Sequence, residues 1–139
     1  MLNLLKIIQS LIQECTGGRY KVYLFNYSEK EEYSISVSCY PAQPPTEEID
    51  NTMSTEYTNV QIIVQTKNSV DGIEDCLKDS DAIKKKLSSL NNYYKNNVNI
   101  LKSKLNGNIN FLNATRFNIP IATMSVNINY DSMEDWLYG

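Results

Sequence analysis

The sequence predicts one α+β domain, with a small mixed or antiparallel sheet of about five strands and helices packed on one face of it. Two stretches carry apolar residues at helical spacing, and several others alternate apolar with polar residues as strands do. At 139 residues, the chain is long enough for one domain and short for two. We therefore expect a single domain over residues 1–139 with the element order α-β-β-loop-β-α-β-β.

The first predicted element is an N-terminal helix. Its apolar residues recur at helical spacing: Leu4, Leu5, Ile8, Leu11, Ile12 and Cys15. Gly17 and Gly18 follow as a helix stop. Leu2 and Ile7 lie outside that stripe and give the helix more apolar surface than one face of a small core needs. Either the helix is deeply buried, or these residues make a second contact with a neighbouring subunit.

Two strands and a long loop are predicted next. Residues 19–27 are rich in aromatic and β-branched residues, residues 32–39 alternate, and the polar stretch between them predicts a hairpin. The exposed loop that we place at about 40–56 holds three of the four prolines and a cluster of acids. Loops of this length in compact domains are usually functional or mobile.

A central strand and the long helix come after the loop. Residues 57–66 place five side chains on one face: Thr58, Val60, Ile62, Val64 and Thr66. Asp71 with Glu74 resembles a capping box and predicts the helix start. The predicted core stripe of this helix is Ile73, Cys76, Leu77, Ile83, Leu87 and Leu90. Acids near its start and lysines near its end suit the helix dipole.

The last third of the chain predicts two more strands and a tail. Residues 91–106 are polar and Asn-rich, with a short apolar stretch at about 100–105. Residues 108–119 and 121–130 read as antiparallel neighbours separated by Pro120. In the tail, residues 131–139, the only Trp sits among acids, so Trp136, Leu137 and Tyr138 either fold back onto the domain or dock on another one.

Residue types that usually carry catalysis are scarce. The chain has no histidine, which removes the commonest general base and the nucleophile triads built on it. No glycine-rich phosphate loop is present. Asp79 with Asp81, or the acids of the loop, could pair as catalytic carboxylates, and the same "KDSDAIK" stretch is a fragment of a calcium loop. Such acids are common on solvated surfaces, so we expect no enzyme, no cofactor and no metal site.

Charge and cysteine content exclude further classes. A net charge of −3 leaves no surplus of positive charge to neutralise phosphates, which argues against tight wrapping of nucleic acid. Polar residues interrupt the apolar N-terminus well short of the roughly 20 residues of a membrane span, and it lacks the features of a signal peptide, so a cytoplasmic origin is expected. The three cysteines are odd in number and far apart, which predicts core thiols.

One family resemblance covers most of the chain. A strand of the type Q-I-x-V runs into a helix whose stripe ends in Leu, and a later apolar-Pro segment leads to a last strand ending in N-x-x-Y. The matching positions are Gln61, Ile62, Val64, Ile83, Leu87, Pro120, Asn127 and Tyr130. In these features the chain resembles the tail terminator proteins of tailed bacteriophages, also called tail completion or minor capsid proteins. It departs from them at residues 65–67, where the family often has Arg, and in the length of residues 91–106.

The resemblance implies a structural virion protein at the head-proximal end of the tail, assembled in the host cytoplasm. Such proteins form a ring, typically of six copies, that caps the tail tube, stops its polymerisation and meets the head connector; in contractile systems it also contacts the sheath. DNA would pass through the lumen without specific binding, and a net acidic protein suits such a channel. The surfaces offered for these contacts are Leu2, Ile7, Pro44, Pro45, Glu47, Glu48, Asp50, Trp136, Leu137 and Tyr138.

Two other functions fit the same sequence. The chain could be a different head-to-tail joining or neck protein of the virion. It could instead be a small monomeric module, such as an antitoxin or immunity-like protein whose acidic loop covers a basic partner. Self-association separates the last function from the virion roles, because a ring needs two unlike complementary patches on each copy.

Overall fold

A computed structural model of the protein describes residues 2–25, 32–41, 56–113 and 119–132. It confirms the α+β class, with two helices and seven strands in place of the five that we predicted. In chain order the elements are α1 (Leu2–Cys15), β1 (Lys21–Leu24), β2 (Ser34–Pro41), β3 (Glu56–Gln65), α2 (Val70–Leu87), β4 (Asn91–Lys95), β5 (Val98–Leu105), β6 (Asn110–Asn113) and β7 (Pro120–Ser132).

All seven strands form one mixed sheet in the order β1-β2-β3-β7-β5-β4. The 13-residue β7 lies at its centre and pairs antiparallel with β3 along one side. Its other side is shared, because β6 pairs with its first residues and β5 with its second half. The predicted antiparallel pairing of the last two strands is thereby confirmed for β6 and β7. The order leaves two unlike strands, β1 and β4, at the two ends of the sheet.

Both helices pack on one face of this sheet and bury a single core, as predicted. Alternation along the strands decides which side chains enter it, because successive residues of a strand point to opposite faces. From β2, β3 and β7 the core takes Ile35, Val37, Val60, Ile62, Val64, Ala122, Met124, Val126, Ile128 and Tyr130. From the helices it takes Leu4, Leu5, Ile7, Ile8, Leu11, Ile12, Cys76, Ile83 and Leu87.

Helix α1 ends at the predicted glycine pair. The Gly18 N–H donates to the Gln13 carbonyl at 2.9 Å, and the Gly17 N–H donates to the Glu14 carbonyl at 3.3 Å. Together these bonds form a Schellman motif, and both glycines have the positive φ values, 69° and 73°, that this motif favours. The stop was therefore predictable from two residues.

The two apolar residues outside the α1 stripe have different fates. Ile7 is 1% exposed and belongs to the core, so its predicted role as a spare contact surface is wrong. The deeply buried helix is the correct interpretation for this residue, because α1 packs against the sheet and α2 at once. Leu2 is 54% exposed and remains available for a contact.

Helix α2 begins two residues earlier than the Asp71–Glu74 capping box predicts. Its N-cap is Ser69, whose hydroxyl accepts a hydrogen bond from the Gly72 N–H at 3.0 Å. The box prediction was wrong because Ser69, two positions before Asp71, caps the helix and satisfies the Gly72 N–H instead. Asp71 still lies in the first turn, where its charge suits the helix dipole.

Strands β1 and β2 are parallel, and the predicted hairpin between them is wrong. Lys21 pairs with Ser34 and Leu24 with Val37, so the register rises in the same direction on both strands. The Phe25 N–H then donates to the Val37 carbonyl at 2.8 Å. Alternation shows which face of a strand is buried and carries no information on its direction, so the pattern could not separate the two arrangements.

A hairpin that we did not predict forms from β4 and β5. The two residues between these strands, Asn96 and Asn97, both have positive φ, as a type I′ turn requires. We predicted no strand for the polar, Asn-rich start of this region, and Asn is depleted in strands. The same two asparagines were the available signal, since Asn tolerates the left-handed conformation.

Parts of the predicted loop and tail belong to strands. Tyr40 and Pro41 end β2, and Glu56 begins β3, while residues 42–55 of the loop lie outside the described residues. Asp131 and Ser132, predicted as tail, extend β7. The remaining tail also lies outside the described residues.

The prediction of core thiols is confirmed. Cys76 is buried, Cys15 and Cys39 are partly buried against the core, and all three are free. Burial raises the pKa of each thiol, which keeps it protonated and unreactive near neutral pH.

Candidate functional site

The most extensive polar contact inside the molecule is centred on Asp79 of α2. Its side chain is 3% exposed, and both carboxylate oxygens accept a hydrogen bond. Arg19 Nη2 donates to Oδ1 at 2.5 Å, and the Tyr20 hydroxyl donates to Oδ2 at 2.6 Å. Because Arg19 and Tyr20 lie between α1 and β1, Asp79 joins α2 to the segment that connects those two elements.

A second carboxylate extends this contact one helical turn earlier. The Tyr33 hydroxyl donates to Asp75 Oδ2 at 2.7 Å, and Arg19 Nη1 lies 3.8 Å from Asp75 Oδ1. The rings of Tyr20 and Tyr33 are 5.5 Å apart between centroids. We call these five residues the clamp. It fastens the first half of α2 to the β1 edge of the sheet.

The ionisation of the clamp suits a structural role better than a catalytic one. Its hydrogen bond to Asp79 raises the pKa of Arg19, and burial raises the pKa of Tyr20. The hydrogen bond to Asp75 raises the pKa of Tyr33 to about 12. General acids and bases need a pKa near the working pH, and these shifts move the groups away from it. Arg19, Tyr20 and Tyr33 therefore keep the same protonation state near neutral pH.

These shifts predict a loss of stability at alkaline pH. A pKa raised in the folded state stabilises the fold fully below the unfolded value, about 10 for Tyr, and this stabilisation is lost as pH rises through the folded value. For Tyr33 the window runs from about pH 10 to about 12. Tyr33→Phe should therefore flatten the fall in unfolding free energy across this window, measured by urea denaturation at several pH values.

A measurement of the same variant at neutral pH supplies the control for Tyr33→Phe. At neutral pH the difference in unfolding free energy between wild type and Tyr33→Phe comes only from the missing hydrogen bond. This difference is subtracted at every pH. If wild type and Tyr33→Phe then fall with the same slope above pH 10, the Tyr33 hydroxyl is not linked to folding as the structure indicates.

The carboxylates of Asp79 and Asp81, which the sequence allowed as a pair, do not face each other. Asp79 points into the clamp, whereas Asp81 is exposed and forms an ion pair with Lys85 at 3.0 Å, one helical turn away. Residues two apart on a helix do not face each other, so a shared catalytic or calcium site on this stretch is excluded. Within the described ranges there is no group of three or more His, Cys, Asp or Glu residues that could hold a metal ion.

The sheet face away from the helices carries a polar network. Asn59 Nδ2 donates to Ser125 Oγ at 2.6 Å and to Asn127 Oδ1 at 2.8 Å, and Gln61 Nε2 donates to Asn59 Oδ1 at 2.8 Å. These side chains alternate with core residues along β3 and β7. Neutral amides and hydroxyls in mutual contact keep this face polar without giving it a strong charge.

Two exposed patches stand out on the described surface. The α2 stripe consists of Val70, Ile73 and Leu77, which are 73%, 47% and 48% exposed. Ile73 and Leu77 were predicted as core, and that prediction is wrong because they lie on a flank of α2, beside the side of the helix that is buried. The hairpin patch consists of Tyr94, 63% exposed, with the exposed Lys102 and Lys104. Exposed groups of large side chains mark interaction surfaces more often than single ones do.

Most predicted contact residues cannot be compared with the structure. Eight of the ten lie outside the described residues: Pro44, Pro45, Glu47, Glu48, Asp50, Trp136, Leu137 and Tyr138. Of the other two, Leu2 is exposed and Ile7 is buried. The two described residues, Leu2 and Ile7, do not form a site together.

No protein-family model matches the chain, and no curated protein matches it either. Neither α1 nor α2, nor any other described segment, forms a helix of the length and apolarity needed to span a membrane. What the surface can do must accordingly be inferred from its own residues.

Of the two groups of residues that we missed, only the hairpin patch has a clear signal in the sequence. Arg19 and Tyr20 precede β1 directly, and Asp79 is the acid on the buried side of α2, but a contact across about sixty residues has no local pattern. The hairpin patch has a clearer signal. No Asp or Glu occurs between Asp81 and Asp131, so the lysines of β5 have no acidic neighbours along the chain.

Proposed function

We propose that the protein is a tail terminator of a tailed phage or of a phage-derived particle. In this role it forms a ring, typically of six copies, caps the tail tube, stops its growth and meets the head connector. In contractile systems it also contacts the sheath. DNA passes through the lumen without specific binding. No catalytic step is required, because polymer growth ends when the ring covers the last layer of tube subunits.

The observation that carries this proposal is the open sheet with its two unlike ends. A ring is a heterologous assembly, in which one surface of each copy meets a different surface of the next. Here the sheet ends in parallel-paired β1 on one side and in the β4–β5 hairpin on the other. Such a shape offers unlike surfaces to two neighbours.

The residues of the family resemblance support the same proposal. Gln61, Ile62 and Val64 lie on β3, and Asn127 and Tyr130 lie on β7, which is the direct neighbour of β3. The segments that resemble the family are thus adjacent at the centre of the sheet. Pro120 is the first residue of β7, a position that strands tolerate because it needs no ladder donor.

Self-association tests the proposal. We expect the purified protein to form a closed oligomer, with a mass near six chains by native mass spectrometry and a ring by negative-stain microscopy. Each contact between two neighbouring copies should bury on the order of 1,200–2,000 Å², summed over both copies. Added to assembled tail tubes, the protein should bind at one end and prevent further elongation.

The contrary result is equally clear. A stable monomer at high concentration that neither binds nor caps a tube would overturn the ring and favour a monomeric binding module. A ring that forms but leaves tube elongation unchanged would favour another joining protein of the neck.

A further inference from the structure

The charge of the chain is strongly segregated along the sequence. Although the net charge is −3, the segment between Asp81 and Asp131 has no acid and seven basic residues: Lys84, Lys85, Lys86, Lys95, Lys102, Lys104 and Arg116. The acids lie before and after this segment. The small net charge is therefore the sum of a basic region and an acidic region, and these regions can attract each other between copies.

Part of the basic region lies on the helix-free face of the sheet. Lys104 is opposite Asn127 and Lys102 is opposite Asn129 in the pairing of β5 with β7. Residues directly opposite on neighbouring strands share a face, and both asparagines alternate with core residues of β7. Tyr94 is opposite Asn99, which shares this face. The hairpin patch therefore combines an aromatic ring with two lysines, beside Asp131, which is opposite Asn99 on the same face, and it points away from the helices.

The α2 stripe, on a flank of helix α2, is apolar and lies beside acids. Glu74 lies four residues after Val70 and three before Leu77, which places its exposed carboxylate on the stripe itself. Asp71 is exposed in the first turn. Lys78 is the nearest cation on the same helix, one turn after Glu74. The stripe thus combines apolar side chains with negative charge, the complement of an aromatic and basic patch.

The two patches lie on different outer surfaces of the domain. The clamp and the core hold α2 against one face of the sheet, and the exposed α2 stripe runs along a flank of that helix, about 100° round its axis from the centre of the buried side. The hairpin patch points out of the sheet layer. One copy can therefore present its hairpin patch to one neighbour while its α2 stripe receives a second, which is the arrangement that a head-to-tail ring requires.

We infer that the hairpin patch of one copy docks on the α2 stripe of the next. Tyr94 packs against Val70, Ile73 and Leu77, and the lysines at positions 102 and 104 face the acids at 71 and 74. The inference rests on the proposed ring and names the two surfaces that close it. A second copy of the chain is favoured as the occupant because both complementary patches are present on this one chain.

Charge reversal tests the inference with two variants. The hairpin variant is Lys102→Glu with Lys104→Glu, and the stripe variant is Asp71→Lys with Glu74→Lys. Each variant alone brings like charges together at every contact, so the dissociation constant for self-association should rise at least about tenfold. Each variant should remain folded, judged by circular dichroism and thermal unfolding, because all four side chains are exposed.

The decisive measurement is the equimolar mixture of the two variants. The reversed hairpin patch of the first matches the reversed α2 stripe of the second, and their wild-type patches also match. Alternating rings should therefore form, and they close because a six-membered ring has an even number of places. A single chain that carries all four substitutions should likewise recover self-association. Lys84→Glu with Lys86→Glu, which changes the same charge outside both patches, should assemble as wild type does.

Each other outcome overturns the inference in a distinguishable way. If wild type forms rings and both variants form them equally well, the contact is elsewhere while the proposed function stands. If the hairpin variant keeps its rings but loses retention on a single-stranded oligonucleotide that wild type binds, the patch is a nucleic-acid surface. If wild type itself stays monomeric at high concentration, the proposed function falls and this inference falls with it.

Discussion

Asp79→Ala should lower the free energy of unfolding by about 3 kcal/mol and the Tm by roughly 10 °C. The substitution removes the acceptor of both Arg19 and Tyr20. Tyr20 is buried, so its hydroxyl would be left without that partner, at a cost of about 1–3 kcal/mol. Arg19 is half-exposed and can turn to water, which keeps the loss below that of a fully buried pair. Urea denaturation at neutral pH measures the effect.

Asp81→Ala is the matched control for this variant. Asp81 is on the same helix, carries the same charge and has an ion-pair partner, but it is exposed. Exposed pairs of this kind contribute about 0.5 kcal/mol or less, so the control should be nearly neutral. Equal losses in Asp79→Ala and Asp81→Ala would show that the clamp does not fasten α2.

The clamp also explains which side of α2 is buried, the main point that the sequence could not settle. Helical spacing gives α2 one wide apolar stripe, with Ile73 and Leu77 along one edge and Cys76, Ile83 and Leu87 along the other. The structure buries the second edge, although Asp79 lies beside it. Burying a carboxylate is unfavourable unless partners satisfy it, and here they come from residues far away in the sequence. Local periodicity has no access to that information.

Elements with one buried face were predicted well. Along β3 and β7 alternate residues enter the core, and most of these are apolar, because a strand covered on one face needs this period. Helix α1 and its Gly17-Gly18 stop follow from equally local rules. The α+β class was therefore predictable from a few stretches.

Edge elements were predicted poorly for a physical reason. Strand β4 is the edge of the sheet, where Asn91, Asn92 and Lys95 face solvent and no alternation is imposed, and a bulge between Ile100 and Lys102 interrupts the alternation of β5. The direction of β1 relative to β2 depends on the path of residues 25–33, which alternation does not encode. The hairpin patch includes residues of this kind, so composition alone did not reveal it.

Gly72→Ala should destabilise the protein by about 3 kcal/mol, against the rule for helices. In an isolated helix, Ala is favoured over Gly by about 1 kcal/mol. Here a Cβ atom at position 72 would lie 1.8 Å from the Lys67 carbonyl oxygen and 2.7 Å from its carbon, which are backbone atoms that cannot rotate away. Thr66 Oγ1 donates to the Gly72 carbonyl at 2.6 Å, which holds the start of α2 close to the end of β3.

Gly107→Ala separates this steric effect from conformational strain. Gly107 has a φ of 82° and open space around its Cα, so Ala there should cost about 1–2 kcal/mol through backbone strain alone. The larger loss at Gly72, measured by urea denaturation, would reflect the close passage of the chain between β3 and α2. If Gly72→Ala were neutral or stabilising, the start of α2 would be able to move away from Lys67. The α2 stripe begins at Val70, so it would then not be held in one position.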